Sequence, residues 1–104
     1  MTKMTRSLAI LVAGVCISCV GFAQSGQETY KAKCQSCHGS SGTPNAGIAK
    51  TLGVKPISDP DVQKHSEADM IKVTTDGKGK MPAYKGKLSD AEIKAVVTYF
   101  RSLK

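Results

Sequence analysis

The sequence predicts a small all-α domain, on three observations. Apolar residues recur at helical spacing in the last third of the chain, and no stretch holds a sustained period-two alternation. In addition, four segments open on a side chain suited to capping a helix: Ser25, Asp59, Ser66 and Ser89.

The first helix of the domain is expected to start near Ser25. Ser25-Gly26-Gln27-Glu28 has the spacing of a capping box, in which the hydroxyl accepts from a first-turn amide and the carboxylate reaches back. Tyr30, Cys34 and Cys37 follow at helical spacing. From Gly39 to Pro56 the chain is rich in Gly, Ser, Thr and Pro and reads as a loop, with Ile48, Leu52 and Val54 as apolar anchors. Asp59-Pro60 is an N-cap followed by proline at the first helical position, which predicts a one-turn helix through Lys64. Ser66-Glu67-Ala68-Asp69 starts another short helix carrying Met70, Ile71 and Val73, and Gly77 ends it.

The last helix has the strongest pattern. Ser89 and Glu92 form a second capping box, with Leu88 and Ile93 placed for a hydrophobic staple. Ile93, Val96, Val97, Phe100 and Leu103 make one apolar stripe. Arg101 and Lys104 sit at the end of the helix dipole that favours positive charge.

The 104 residues suffice for one domain, and residues 1–23 read as a segment outside it. Lys3 and Arg6 form a positive start, Leu8 to Ile17 an apolar run, and Gly21-Phe22-Ala23 a small-residue cleavage site. That is the layout of a secretory signal peptide, with cleavage after Ala23. The apolar stretch from Leu8 to Ala23 is 16 residues long, short of the roughly 20 that span a bilayer, so no stable membrane anchor is expected. Residues 24–104 then form the domain, 81 residues with 13 basic and 8 acidic side chains and a net charge of +5. A domain of this size buries a modest core and generally needs a metal, disulfide or cofactor to staple it. The whole chain has five aromatic residues and no Trp, and Phe22 falls in the signal segment.

The chemistry concentrates at Cys34-Gln-Ser-Cys-His38. The earlier pair, Cys16 and Cys19, has no histidine after it and leaves with the signal segment. On a helix Cys34, Cys37 and His38 share one face. Cys-x-x-Cys-His is the pattern by which two thiols bond to a c-type haem while the imidazole ligates the iron. Two other readings compete. A redox dithiol belongs after a strand, which this sequence does not predict. A tetrahedral zinc site could draw on Cys34, Cys37, His38 and His65, making the protein a zinc-stapled binding module. A haem iron would need a sixth ligand, for which Met70, Met81 and His65 are candidates. Met70 lies in an apolar helical stripe, the setting of a core residue. His65 stands among charged residues, the setting of a solvated histidine. Met81 lies in the polar loop GKGKMPAYKGK, where Pro82 keeps it out of helix and stiffens the backbone beyond it.

With these motifs in hand, the chain resembles the class I c-type cytochromes, particularly small soluble bacterial monohaem members. The resemblance runs from about Ser25 to Lys104 and rests on C34-Q-S-C-H38, G79-K-M81-P-A-Y84 and V96-V-T-Y-F-R-S-L103. It implies a fold whose N- and C-terminal helices cross, with short helices and loops wrapping one covalent haem c. Gly26 and Tyr30 would cross the last helix near Tyr99. Cys34 and Cys37 would hold the haem, and His38 and Met81 would bind the iron. The Pro44 carbonyl would accept from the His38 ring N–H, and Ile48, Leu52, Ile57 and Tyr84 would wall the pocket.

The implied activity is electron carriage in the periplasm, by a monomer that is not an enzyme. His/Met ligation leaves no open position on the iron, and methionine raises the potential. The rival reading is a haem enzyme or small-ligand sensor in which Met81 is displaced. Lys31 and Lys33, with Lys78, Lys80, Lys85 and Lys87, would ring the exposed haem edge and steer redox partners with acidic docking surfaces. Export argues against nucleic acid as a partner.

Overall fold

The computed structural model describes residues 17–104, with side chains from residue 25 onward. The expected signal segment, with the Cys16 and Cys19 pair, lies outside the described residues as far as Cys16, and no side chain of 17–23 is described. Among the described residues six helices follow one another: α1 (Ile17–Lys33), α2 (Gln35–His38), α3 (Ala46–Leu52), α4 (Pro60–Gln63), α5 (Glu67–Asp76) and α6 (Asp90–Ser102). The fold is all-α, as predicted. Among the described residues the only extended pairing is two isolated bridges, Lys78 with Met81 and Lys85 with Leu88.

The short-range helix signals perform as the sequence implies. The Asp59 carboxylate accepts from the Asp61 amide at 2.8 Å, with Pro60 opening α4. Both halves of the Ser66/Asp69 and Ser89/Glu92 capping boxes are made, at 3.0 to 3.3 Å. Gly77 closes α5 with a positive φ of 77°.

Two expectations fail. Ser25 is inside α1, not at its start. A capping side chain acts only where the backbone before it leaves the helix, and residues 17–24, which contain no proline, continue the helix instead. Secondly, the expected loop from Gly39 to Pro56 contains α3. The Asn45 side chain accepts from the Ile48 amide at 2.8 Å, and Gly53 ends the helix in the left-handed region with φ 69°. Between these caps, Ala46, Ala49 and Leu52 are good helix formers whose effect the neighbouring Gly and Pro residues hide.

The crossing of α1 and α6 frames the domain. Gly26 is buried there, and a Cβ on it would stand 2.5 Å from the Ala95 carbonyl oxygen and 3.3 Å from the Tyr99 Cβ. One turn on, Tyr30 is 1 % exposed, with its ring centroid 5.3 Å from that of Tyr99 and 6.0 Å from that of Phe100. These are the separations at which aromatic pairs attract. The crossing at Gly26, Tyr30 and Tyr99 is therefore the one implied above. α6 buries Ile93, Val96 and Val97 as its stripe predicts, and Ala95 as well, because α1 covers that flank. α5 also packs on α6, where Thr98 donates to Glu67 at 3.0 Å. The remaining large core residue, Ile57, is 2 % exposed and donates its amide to the Gly42 carbonyl at 2.9 Å, which pins the first loop.

Two glycine variants separate close approach from helix propensity. Gly26→Ala should destabilise the domain by about 1–3 kcal/mol, because the helices must part to admit the methyl group. Gly47→Ala, whose Cβ would meet nothing nearer than 3.5 Å, should stabilise it by about 0.5 kcal/mol. Denaturant titration of both reads the difference. Equal stabilisation by the two would mean that the crossing is not tight in solution.

Candidate functional site

The site begins where α1 breaks. Cys34 keeps near-helical angles (φ −116°, ψ −33°) between α1 and α2, and its amide still donates to the Tyr30 carbonyl at 2.9 Å. His38 in turn donates its amide to the Cys34 carbonyl at 2.9 Å. The line of α1 thus continues through α2, bringing Cys34, Cys37 and His38 to one side of the domain. Gly39 then turns the chain with φ 79°, a conformation that suits glycine. A Cβ there would also overlap the Thr43 carbonyl oxygen. Tyr30 fixes this turn by donating its hydroxyl to the Gly39 carbonyl at 2.5 Å.

Cys34 and Cys37 are free, half-buried thiols. Burial, with Cys37 adding to it, pushes the Cys34 thiol up to about 11. The His38 ring meets Phe100 edge-on at 5.2 Å, and burial lowers the imidazole's pKa. Burial therefore favours the ring's neutral form, the form that donates a lone pair to a metal. Its Nδ1 is sealed from solvent and has no hydrogen-bond partner. The bond expected from this ring to the Pro44 carbonyl is thus not made. Pro44 is buried beside the Gly39 turn. The loop's course is already set before it by Gly42, which bonds to Gly39 on one side and to Ile57 on the other.

These residues open on a cleft of about 370 Å³. Its floor is Val96, Val97 and Phe100 of α6, and its walls include Leu52 and Val54 after α3, Val73 of α5, and Met81, Pro82 and Tyr84 of the loop before α6. Native interiors rarely leave voids larger than a water molecule. A largely apolar cleft of this size, with two thiols and an imidazole on its lining, is shaped for a large apolar group that takes sulfur and nitrogen bonds. A haem c fits that donor set.

The residues expected at the wall divide. Leu52 and Tyr84 line the cleft, whereas Ile48 and Ile57 do not. Ile57 instead packs against Gly42, whose Cβ position lies 3.2 Å from that of Ile57. Val54, Val62 and Val73 take the places that pattern alone did not assign. All three candidates for a distal ligand, Met81, Met70 and His65, reach the cleft. Met70 is therefore not only a core residue.

Met81 is presented by a closed turn. Lys78 and Met81 exchange both backbone hydrogen bonds at 3.0 and 3.1 Å, across a turn in which Gly79 has φ 58°. Two long-range bonds tie this loop down. Lys80 Nζ donates to the Thr51 carbonyl at 2.9 Å, and Tyr84 Oη donates to the Lys33 carbonyl at 3.1 Å. Neither tie was visible in the sequence, because nothing in local pattern pairs residues so far apart. Among the described residues no three His, Cys, Asp or Glu side chains converge as a metal site, which removes the donor set of the zinc reading.

Comparison with known proteins follows the same lines. Residues 21–100 match the family described as cytochrome C oxidase, cbb3-type, subunit III. The chain is 38 % identical over 77 residues to a cytochrome c6 of Leptolyngbya boryana, a match covering 74 % of this chain and 87 % of that protein. It is 28 % identical over 83 residues to the cbb3-type cytochrome c oxidase subunit CcoP of Azospirillum brasilense, covering 78 % of this chain and 28 % of that subunit. The solved KustC0563 c-type cytochrome superposes with a TM-score of 0.69 at 32 % identity, over 76 % of this chain and 96 % of that one.

If Cys34 and Cys37 carry the group, acid–acetone extraction should leave all colour with the polypeptide, and its mass should exceed that of the chain by one haem. Replacing both cysteines with serine should release haem into the organic phase. Free haem from the unaltered protein would overturn the attachment.

Proposed function

Because the chain belongs to the small class I monohaem c-type cytochromes, we propose that it is a periplasmic electron carrier whose iron is bound by His38 and Met81. As a member of that family it carries one covalently bound haem c. Supporting the ligand assignment is the Met81 loop, closed by its bridge to Lys78 and tied to Thr51 and Lys33, on the lining of the cleft that His38 shares.

The bound haem supplies a one-electron couple, and the chain's residues govern it. Cys34 and Cys37 would hold the macrocycle by thioether bonds. His38 offers a neutral imidazole because burial disfavours its charged form. Met81 offers a thioether, which raises the potential. If His38 and Met81 both bind the iron, no position would remain on it for substrate, and electron carriage is the activity that this reading supports. The ties from Lys80 and Tyr84 limit how far the loop moves, while the valines and Phe100 would keep water from the macrocycle.

The expected signal segment at residues 1–23 supports export, and no helix among the described residues is long and apolar enough to cross a membrane. Lys31, Lys33, Lys78, Lys80, Lys85 and Lys87 are all exposed, and Lys33, Lys78 and Lys80 stand on the cleft lining. A positive rim at the opening steers partners that dock through acidic surfaces and lets them leave as salt screens the attraction.

Three variants test the ligand. Met81→Ala should lose the methionine–iron charge-transfer band, lower the potential and admit cyanide, with covalent haem retained. Met70→Leu should keep band and potential and cost under about 1.5 kcal/mol, as a volume-conserving swap. His65→Ala should keep both. A band that survives in Met81→Ala and vanishes in Met70→Leu would reverse the assignment.

The lysine rim is tested with two small oxidants. Added salt should slow oxidation by anionic hexacyanoferrate(III) and speed oxidation by cationic tris(phenanthroline)cobalt(III). No salt dependence with either would remove the rim from the mechanism.

A further inference from the structure

Setting Tyr30 aside, Thr74 of α5 is the one buried polar side chain among the described residues, 7 % exposed. It stands on the cleft lining with Met70 and Val73 of the same helix. At this position valine would fill the same volume without a hydroxyl. The hydroxyl is satisfied inside the helix, where Thr74 Oγ1 donates to the Met70 carbonyl at 2.8 Å. Back-bonding of this kind slightly destabilises a helix, so stability gives no reason for the oxygen. A threonine hydroxyl has one proton and two lone pairs. With the proton given to Met70, only the negative end of the group is left to face whatever fills the cleft. In a site of low dielectric that partial charge acts far more strongly than it would in water. The charged groups on the lining, Lys33, Lys55, Lys78, Lys80, His65 and Asp69, are all exposed, and solvent ions screen them.

Thr75 is a matched neighbour. Its Oγ1 donates to the Ile71 carbonyl at 2.7 Å, the same bond one residue on. Each threonine also accepts a loop amide on its main-chain carbonyl, Thr74 from Tyr84 at 3.0 Å and Thr75 from Lys85 at 3.1 Å. The two therefore serve the helix and the loop beyond Met81 alike. They differ in place, since Thr75 is half-buried and does not line the cleft.

We propose that Thr74 is a potential-setting residue, its hydroxyl oxygen favouring the oxidised state of the centre that the cleft holds. The inference rests on the functional reading above, in which that centre is a one-electron couple. Loss of one electron to a partner adds one positive charge at the cleft, and the negative end of a buried dipole stabilises the more positive form. Thr74 neither gains nor loses a proton in the step, so its effect is the same at every pH.

The test compares the reduction potential of the haem-loaded protein with those of Thr74→Val, Thr74→Ser and Thr75→Val. Haem content is read first from the alkaline pyridine spectrum, and methionine ligation from the methionine–iron charge-transfer band. An unaltered protein without haem would end the functional reading and the proposal with it, and that outcome is seen before any variant is compared. Haem without the band would remove only the Met81 assignment, and the potentials are compared all the same. Thr74→Val should shift the potential upward, raising the ferrous-to-ferric ratio at a fixed applied potential about threefold or more, the scale of one buried polar contact. The shift should not vary with pH. Thr74→Ser, which keeps the hydroxyl, and Thr75→Val should each move by only a small part of it. Equal potentials in Thr74→Val and Thr75→Val would overturn the proposal, and so would a downward shift in Thr74→Val. Should Thr74→Val not fold, Thr74→Ala takes its place, and a potential equal to that of Thr74→Ser overturns the proposal equally.

Discussion

The main-chain contact between Gly26 of α1 and Ala95 of α6 governs where everything else in the domain can lie. With no side chain between the helices at that point, their backbones come close enough for Tyr30, Tyr99 and Phe100 to cluster one turn further on. Tyr30 then reaches the Gly39 carbonyl and sets the turn that follows the cysteines. Since α2 prolongs the line of α1, the same contact carries Cys34, Cys37 and His38 to the face of α6 that bears Val96, Val97 and Phe100. A wider crossing would move the two walls of the cleft apart together.

The hydrophobic core that results is small. Its buried apolar residues are Tyr30, Ile57, Ile93, Ala95, Val96 and Val97, and several of the largest apolar side chains, Met70, Met81 and Phe100 among them, are only half-buried. They converge on the cleft. A chain this short stabilises its fold by completing the core with a cofactor, and covalent attachment keeps that core from dissociating. The haem would thus be both the redox centre and the missing interior, held in the cleft that the tied loop of Met81 helps to line. The same logic explains why three potential ligands share the cleft, since Met70 and His65, like Met81, are lining residues of one largely apolar enclosure.

Legibility followed range. Capping boxes at Ser66 and Ser89, the Asp59-Pro60 start of α4 and the stripe of α6 are decided within a few residues, and each was visible. Cys34, Cys37 and His38 were visible because their chemistry has a fixed spacing, whereas the Gly26 crossing came only from the family resemblance. α3 was missed because glycine and proline around it read as loop, although Asn45 and Gly53 are its own caps. The start of α1 was misplaced because Ser25 has capping chemistry but lies within a continuing helix. The wall positions Ile48 and Ile57 came with the family resemblance and do not line the cleft. Which apolar side chains face a cleft depends on where the loop is pinned, here by Gly42, and that is a tertiary fact. The Lys80–Thr51 tie and the place of Thr74 on the cleft lining are of the same kind.

A crystal structure of the haem-loaded protein tests the central claim most directly, with iron located by its anomalous scattering. The expected result is one haem in the cleft over Val96, Val97 and Phe100, joined to Cys34 and Cys37, with iron bonded to the His38 imidazole and the Met81 thioether. Iron bound by Met70, His65 or water in place of Met81, or a cleft closed without haem, would contradict it.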